Sequence, residues 1–268
     1  MTEIQEKIIQ ELKNSGFPLE IFVSIKLNKN GWIVRPTLDY YDPNIADYRE
    51  ADIIAYQNLG IGNIFNILVI ECKKSAVKPW VFIRQKRVGN LSENLNIVCS
   101  PQDSVIFNNL ESTMHYHHYS KMPICTYYIV PFTNEENSKL SKAIFHAKNQ
   151  VITALTHLLD QRIEMYNGAS LITKTFFYPI IVFDGDLYSA IINEDNIDLV
   201  EENHLLLSIE RELSKKREIR LSENTTRSQE YKPYLIDIVK KEYFEEYLKI
   251  FQQYYIESSD PLKKCFKD

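Results

Sequence analysis

The segment FNILVIECKK, residues 65–74, most strongly limits the folds open to this chain. Alternate side chains of a β-strand point to opposite faces. One face of this segment therefore carries Ile67, Val69, Glu71 and Lys73. The other carries Leu68, Ile70 and Cys72. Both faces are apolar until the last residues, as in a central strand that helices cover on two sides. The segment therefore predicts a layered α/β fold with charged groups at the end of a central strand.

The surrounding segments extend this prediction. A helix is expected in residues 1–16, where Thr2 and Gln5 have the spacing of a capping box. Residues 17–30 leave two interpretations open, because apolar residues alternate as in a strand whereas Pro18 and Glu20 suit the first turn of a helix. Strands are expected at 31–42, 50–57 and 124–132, followed by a long helix at 138–165.

The expected architecture is a central mixed sheet with helices on both faces, formed by residues 1–165. Residues 166–268 are expected to add a smaller α+β extension, which is either a separate module or continuous with the core. Within it, residues 176–192 predict a β-hairpin around the Asp184-Gly185-Asp186 turn, and an aromatic helix follows residue 240.

Composition and charge exclude several classes of protein. A hydrophobic content of 44% and a charged content of 25% are typical of soluble globular proteins. No apolar run approaches the ~20 residues that a bilayer span requires. The acidic N-terminal segment does not resemble a secretory signal, so a cytoplasmic location is expected. No glycine-rich phosphate loop of the usual kinds occurs, and a nucleotide cofactor is therefore not indicated.

A net charge of −5 argues against a protein that coats nucleic acid with its whole surface. This net charge is still compatible with a local strip of basic residues. Between Glu71 and Glu93 the chain has no acidic residue, and six basic residues accumulate there: Lys73, Lys74, Lys78, Arg84, Lys86 and Arg87. Such a cluster is either a solvated face or a set of phosphate contacts.

Two carboxylates and a lysine stand at positions that favour hydrolytic chemistry. Glu71 and Lys73 leave the same face of the predicted strand about 7 Å apart along the backbone. Asp52 opens the preceding apolar strand, so the two carboxylates converge if the strands are neighbours. Carboxylate oxygens suit Mg²⁺, and a nearby lysine suits the orientation of a water molecule or a phosphate. The alternative is a simple ion pair at the end of a strand.

The order of these residues resembles the PD-(D/E)xK superfamily of restriction-endonuclease-like nucleases. Glu20 is followed by a Gly-Trp turn, Asp52 in EADIIAY and Glu71-Cys72-Lys73. The resemblance covers residues 16 to about 75 and extends loosely to about 162. That superfamily includes Holliday-junction resolvases, Mrr-type restriction enzymes and many phage-defence nucleases. Ala51 stands where the motif has proline, and Ala154 stands where RecB-like members have a tyrosine four residues after Gln150.

The resemblance implies an Mg²⁺-dependent endonuclease acting on DNA, with a role in bacterial genome or phage defence. Asp52 and Glu71 would bind the metal ion, Mg²⁺ or Mn²⁺, and Lys73 would be the catalytic lysine. Glu20 would help to hold the metal from the first core helix, which favours the helical interpretation of residues 17–30.

Weaker signals concern binding. Lys74, Ser75 and Lys78 follow the motif closely enough to contact DNA phosphates, and Gln150 lies on a polar line of the long helix. His115 and His117, in HYHH, suggest a zinc site only weakly, because no further ligand lies at a typical spacing. An inactive nuclease-fold subunit that binds nucleic acid or a partner protein is the alternative function. A homodimer or a defence-system partner is compatible with either, and RNA remains open as a substrate.

Overall fold

The computed structural model describes residues 2–42, 45–58, 64–75, 78–84, 98–99, 118–131, 138–166, 174–194, 196–209, 218–222, 225–228 and 234–253. Over these ranges the chain forms a mixed α/β fold with four helices and one large mixed sheet. This confirms the fold class expected from the sequence at the level of a mixed sheet flanked by helices.

The four helices begin close to where the sequence signals stand. They are α1 (Glu3–Asn14), α2 (Phe17–Lys29), α3 (Ser138–Tyr166) and α4 (residues 244–253, after a 3-10 turn at Lys241–Tyr243). Thr2 and Gln5 form the expected capping box at the start of α1. The helical interpretation of residues 17–30 is confirmed, with a proline and Glu20 in the first turn of α2. None of the helices in the described ranges is long and apolar enough to cross a membrane.

The strands are β1 (Ile33–Asp42), β2 (Asp47–Asn58), β3 (Ile64–Lys74), β4 (Trp80–Arg84), β5 (Val98–Cys99), β6 (Ile124–Ile129), β7 (Lys174–Asp184), β8 (Leu187–Ile192), β9 (Ile197–Glu201), β10 (His204–Ile209), β11 (Glu218–Ser222), β12 (Thr225–Ser228) and β13 (Tyr234–Lys240). Ten of them run side by side in the order β1-β2-β3-β7-β13-β10-β6-β4-β8-β9, and β5 pairs with β7. Strands β11 and β12 form a separate two-stranded sheet.

Strand β3 lies inside this sheet, antiparallel to β2 and parallel to β7. Its side chains alternate as predicted. Leu68, Ile70 and Cys72 pack in one core layer, together with apolar residues of α2 and α4. Ile67 and Val69 pack in the other layer, which α3 covers. Helices therefore cover both faces of the central strand, which explains why its sequence is apolar on both sides.

The predicted hairpin around Gly185 is wrong. Strand β7 pairs with β3, β13 and β5, whereas β8 pairs with β4 and β9, so the two arms never pair with each other. Strands β7 and β8 are mostly buried, which is typical of interior strands and not of a two-stranded hairpin with one solvent-exposed face. Gly185 instead permits close packing, because a Cβ there would lie 2.7 Å from the Ser75 carbonyl oxygen and from the Phe183 ring.

Apart from β11 and β12, the strands of residues 166–268 belong to the same sheet as those of residues 1–165. Strand β7 pairs with β3 along eleven registered positions, from Ile64↔Lys174 to Lys74↔Asp184. Strands β10 and β13 extend the same sheet towards β6. Of the two arrangements considered from the sequence, this pairing supports a C-terminal part that is continuous with the core.

Candidate functional site

The carboxyl end of β3 meets the first half of β2 at a point where the regular ladder between them stops. The last registered pair is Ile53↔Ile70, so one step further Asp52 faces Glu71. The next backbone donor, Cys72 N, bonds to Asp52 Oδ2 at 2.7 Å instead of to a strand carbonyl. A carboxylate thus replaces backbone pairing, and the registered pairing of the two strands ends next to Asp52 and Glu71.

A backbone distortion lies on the other side of Asp52. Thr37 of β1 stands between the pairs Pro36↔Ile53 and Leu38↔Ala51, opposite Asp52, and has a φ of +57°. A β-branched residue rarely adopts this left-handed conformation, and such strain concentrates at functional sites. Ala51 and Ile53, two residues apart, pack in different core layers. The regular alternation of β2 side chains between the two core layers is therefore interrupted at Asp52.

Helix α2 brings a third carboxylate to the same point. Glu20 lies in the first turn of α2, and it interacts electrostatically with both Asp52 and Lys73. Leu19, next to it, is buried in the core and fixes the start of the helix against the sheet. Gly16 leaves room for the carboxylate, because a Cβ at that position would lie 3.0 Å from Glu20 Oε1.

Glu71 carries the strongest perturbation of this group. Its side chain is almost completely buried, and Lys73 Nζ forms an ion pair with Glu71 Oε1. Burial raises the pKa of Glu71 to about 8, and the Asp52 and Glu20 carboxylates contribute to the rise while Lys73 opposes it. At neutral pH the ionised form of Glu71 is therefore disfavoured in the metal-free protein.

The other two carboxylates are shifted in the same direction. Burial raises the pKa of Asp52, against the hydrogen bond from Cys72 N and the charge of Lys73. Burial also raises the pKa of Glu20, and Asp52 adds to that rise. Three acids whose pKa values are all raised by burial, with one lysine among them, form a site to which an added cation would be attracted.

Tyr40 is a neighbour of this site that sequence reasoning did not identify. It is buried, and burial together with the Glu71 charge raises the pKa of its hydroxyl to about 12. Its hydroxyl donates a hydrogen bond to the backbone oxygen of Gln150 at 3.3 Å. Gln150, predicted to bind nucleic acid, thus lies on the part of α3 that packs next to the carboxylates, and its side chain is half-buried.

The basic residues after β3 have mixed environments. Lys74 is exposed, and its Nζ donates to the Lys13 carbonyl at 3.4 Å. Ser75 Oγ donates to the Lys78 carbonyl at 2.7 Å and accepts from Lys78 N, so this hydroxyl links Ser75 to Lys78. Arg84 forms an ion pair with Glu202 and donates to Ser189, which removes it from any basic strip. Lys86 and Arg87 lie outside the described residues.

A second polar cluster lies inside the core, formed by His118, His204 and Asp237. Asp237 Oδ1 is 3.0 Å from His118 Nε2 and 2.7 Å from His204 Nε2. Tyr119 donates its hydroxyl to the other carboxylate oxygen, Oδ2, at 3.1 Å. His204 Nδ1 has no hydrogen-bond partner among the described residues. The ligand atoms of the two histidines and the aspartate all lie within 4.8 Å of one another, so this group could hold a metal ion.

No other group of three or more histidine, cysteine, aspartate or glutamate side chains in the described ranges is as compact. The carboxylates of Glu20, Asp52 and Glu71 are therefore spread more widely than this buried cluster. The two sites also differ in their environment. The carboxylates stand where the registered pairing of β2 with β3 ends, and Glu20 and Asp52 are half-buried while Glu71 is buried, whereas all three members of the other cluster are buried.

The electrostatics of the buried cluster are coupled. Burial alone would raise the pKa of Asp237, but the two histidines hold it well below its usual value, so Asp237 stays ionised. Burial lowers the pKa of His118, and Asp237 opposes that shift only in part. The sequence signals for this cluster were single polar residues within apolar strands, His204 in HLLLSI and Asp237 in YLIDIV. His115 and His117, predicted as weak ligand candidates, lie outside the described residues.

Comparison with protein-family models, with curated proteins and with solved structures gives no match for this chain. The assignment of a function therefore depends on the geometry and chemistry of the two sites.

Proposed function

We propose that this chain is a metal-dependent nuclease of the PD-(D/E)xK type that hydrolyses phosphodiester bonds in DNA. The observation that carries the proposal is the convergence of four side chains at the end of β3: Glu20, Asp52, Glu71 and Lys73. They come from α2, β2 and β3, and the sequence motif names the same four residues in the same order. A simple ion pair between Glu71 and Lys73 needs neither Asp52 nor Glu20.

The carboxylates suit a hard cation. Mg²⁺ prefers oxygen ligands, is usually held by one or two carboxylates and keeps several water molecules, and Mn²⁺ accepts similar ligands. The raised pKa values of Glu71 and Asp52 support this role, because a divalent cation would relieve the crowding of negative charge. When bound, Mg²⁺ supplies a more acidic coordinated water and neutralises charge on the phosphate.

Lys73 has the properties of the residue that orients the attacking water. It leaves β3 on the same face as Glu71, and its side chain is about a quarter exposed, so it reaches both the buried carboxylate and solvent. An ammonium group is a compact charge that can turn from Glu71 towards a phosphate oxygen or a water molecule. The same residue thus positions Glu71 in the metal-free protein and contacts substrate when DNA is bound.

Incubation of the purified protein with supercoiled plasmid and Mg²⁺ or Mn²⁺ tests the proposed activity. We expect nicked or linear product with either metal and none with EDTA. A single-stranded RNA of similar length, added in a parallel reaction, shows whether the substrate is DNA. Binding of duplex without cleavage in either metal would contradict the proposal and favour the alternative, an inactive nuclease-fold subunit that binds nucleic acid. A role in genome or phage defence follows from the resemblance alone and forms part of the proposal.

Lys74 and Lys78 are proposed to contact DNA phosphates beside the scissile bond. The Ser75 hydroxyl, which hydrogen-bonds to the backbone of Lys78, would help to position the second of them. Their replacement in the double variant Lys74→Ala, Lys78→Ala should weaken duplex binding equally for unrelated sequences. The slope of log affinity against log salt should fall by about 2, since each phosphate contact contributes roughly one counterion. Fluorescence anisotropy in Ca²⁺ at several salt concentrations measures both quantities. An unchanged slope would remove these lysines from the interface.

A further inference from the structure

We infer that His118, His204 and Asp237 form a site for a transition-metal ion, Zn²⁺ above all, which is separate from the proposed nuclease site. The three ligands belong to three different segments: the 3-10 turn His118–Ser120, strand β10 and strand β13. All three are buried, with exposed fractions of 2%, 3% and 0%. This inference stands on its own geometry and does not depend on the proposed nuclease function.

The arrangement presents one ligand atom from each residue. Both imidazole Nε2 atoms point at the same carboxylate oxygen, Asp237 Oδ1, at 3.0 and 2.7 Å. The hydroxyl of Tyr119 binds the other oxygen, Oδ2. Tyr119 therefore fixes the orientation of the carboxylate and leaves Oδ1 for the ion. Such an outer partner, which orients a metal ligand, is a regular feature of metal sites in proteins.

The donor set selects the class of metal. Two imidazole nitrogens and one carboxylate oxygen are typical ligands of Zn²⁺, which often takes three protein ligands and one further ligand such as water. Mg²⁺ and Ca²⁺ prefer oxygen ligands throughout and would not favour two imidazoles. The buried cluster and the carboxylate site should therefore select different ions.

The balance of charge supports a cation in this place. Asp237 is completely buried, and an ionised carboxylate without a positive partner is very costly there. Within the described ranges, neither a lysine nor an arginine forms an ion pair with Asp237, whose Oδ1 lies beside the Nε2 atoms of His118 and His204. An ion bound by Oδ1 and both Nε2 atoms would place a positive charge next to this buried carboxylate.

The surroundings indicate a structural role for this ion. Aromatic rings enclose the cluster: the His118 ring is 4.5 Å from the Tyr119 ring and 4.8 Å from the Phe251 ring, and the His204 ring is 4.9 Å from the Tyr247 ring. Buried rings of this kind keep substrates away from the ion. Zinc would connect the turn at 118–120 to strands β10 and β13, beneath helix α4. Its removal should therefore lower thermal stability without affecting the carboxylate site directly.

Metal analysis of the protein after purification from zinc-supplemented medium tests the inference. We expect about one zinc per chain in the wild type and in the Asp52→Asn variant, and loss of most of it in His204→Gln. His146→Gln, which changes an exposed histidine on α3, is the matched control and should keep the metal. Zinc retained in His204→Gln, or lost in Asp52→Asn, would overturn the assignment of the site, whatever the outcome of the nuclease assays.

Measurements on the wild type keep the inference testable if His204→Gln fails to fold. A chelator should lower the melting temperature, added Zn²⁺ should restore it, and Mg²⁺ should not. Co²⁺ added to the chelated protein should give the visible ligand-field absorption of a four-coordinate site with nitrogen ligands. A wild type that is purified without zinc, shows no Co²⁺ absorption and melts at the same temperature with and without Zn²⁺ would show that a proton, not a metal ion, joins the two histidines to Asp237.

Discussion

Lys73→Ala is expected to lower the rate of plasmid cleavage by at least about 100-fold, the usual contribution of a residue that moves or orients a proton. The variant should still bind Mn²⁺, because the three carboxylates remain. It should also still bind duplex DNA in Ca²⁺, since Lys73 is one cation among several in this region. The loss should therefore appear in the maximal rate and not in the DNA concentration needed to reach half of it.

The control for this experiment is Lys249→Ala, which removes an exposed lysine of α4 that pairs only with Glu246 among its described neighbours. Its cleavage rate should equal that of the wild type. Because Lys73 also neutralises Glu71, the melting temperature of Lys73→Ala has to be measured alongside the rate. A folded Lys73→Ala protein that cleaves as fast as the wild type would show that the lysine only forms an ion pair.

Glu71→Gln should make the metal-free protein more stable at alkaline pH. The pKa of Glu71 is raised by burial to about 8 from an ordinary value of 4.5. The folded state therefore binds the proton more tightly than the unfolded state. The stability from this group is fully present below pH 4.5 and is lost as the pH rises to about 8. Glutamine has the size of glutamate but no charge. The Glu71→Gln variant should therefore not lose this stability as the pH rises.

We expect the free energy of unfolding of Glu71→Gln to exceed that of the wild type by on the order of 2 kcal/mol at pH 8.5, in the presence of EDTA. The difference should shrink towards zero near pH 5. Denaturation with urea at both pH values measures it, with Glu194→Gln, an exposed acid after β8, as the control that should change nothing. Addition of Mg²⁺ should stabilise the wild type more than the variant. A Glu71→Gln protein that is less stable at pH 8.5 would mean that Lys73 fully compensates the buried charge.

The grouping of Asp52, Glu71 and Lys73 at the end of β3 was predictable because it follows from local rules. Alternation along β3 placed Glu71 and Lys73 on one face, and adjacency of sequential strands placed Asp52 beside them. The ambiguity of residues 17–30 has a physical origin. In α2, Val23 and Leu27 are buried at helical spacing, while Ile21 and Ile25 are exposed. Apolar residues on both sides of the helix mimic the alternation of a strand.

The remaining features depend on contacts that no local rule provides. The chain crosses at Gly185 between two parallel pairs of strands, β3 with β7 and β4 with β8. The sequence pattern of the two apolar segments around Gly185 fits such a crossing as well as it fits a hairpin. The sequence alone therefore could not distinguish the two arrangements. The buried cluster joins residues 118, 204 and 237, each of which looks unremarkable in its own segment. Thr37, opposite Asp52, has a backbone conformation that its residue type disfavours, so propensity could not indicate it.

Glu20, Asp52 and Glu71 are proposed to bind a divalent cation together, and calorimetric titration with Mn²⁺ measures that binding. The zinc-loaded wild type should bind Mn²⁺ with heat that fits at least one site. Asp52→Asn should lose that binding, whereas Asp47→Asn, an exposed change on the same strand, should keep it. Equal Mn²⁺ binding by the wild type and Asp52→Asn, or none by either protein, would contradict the account.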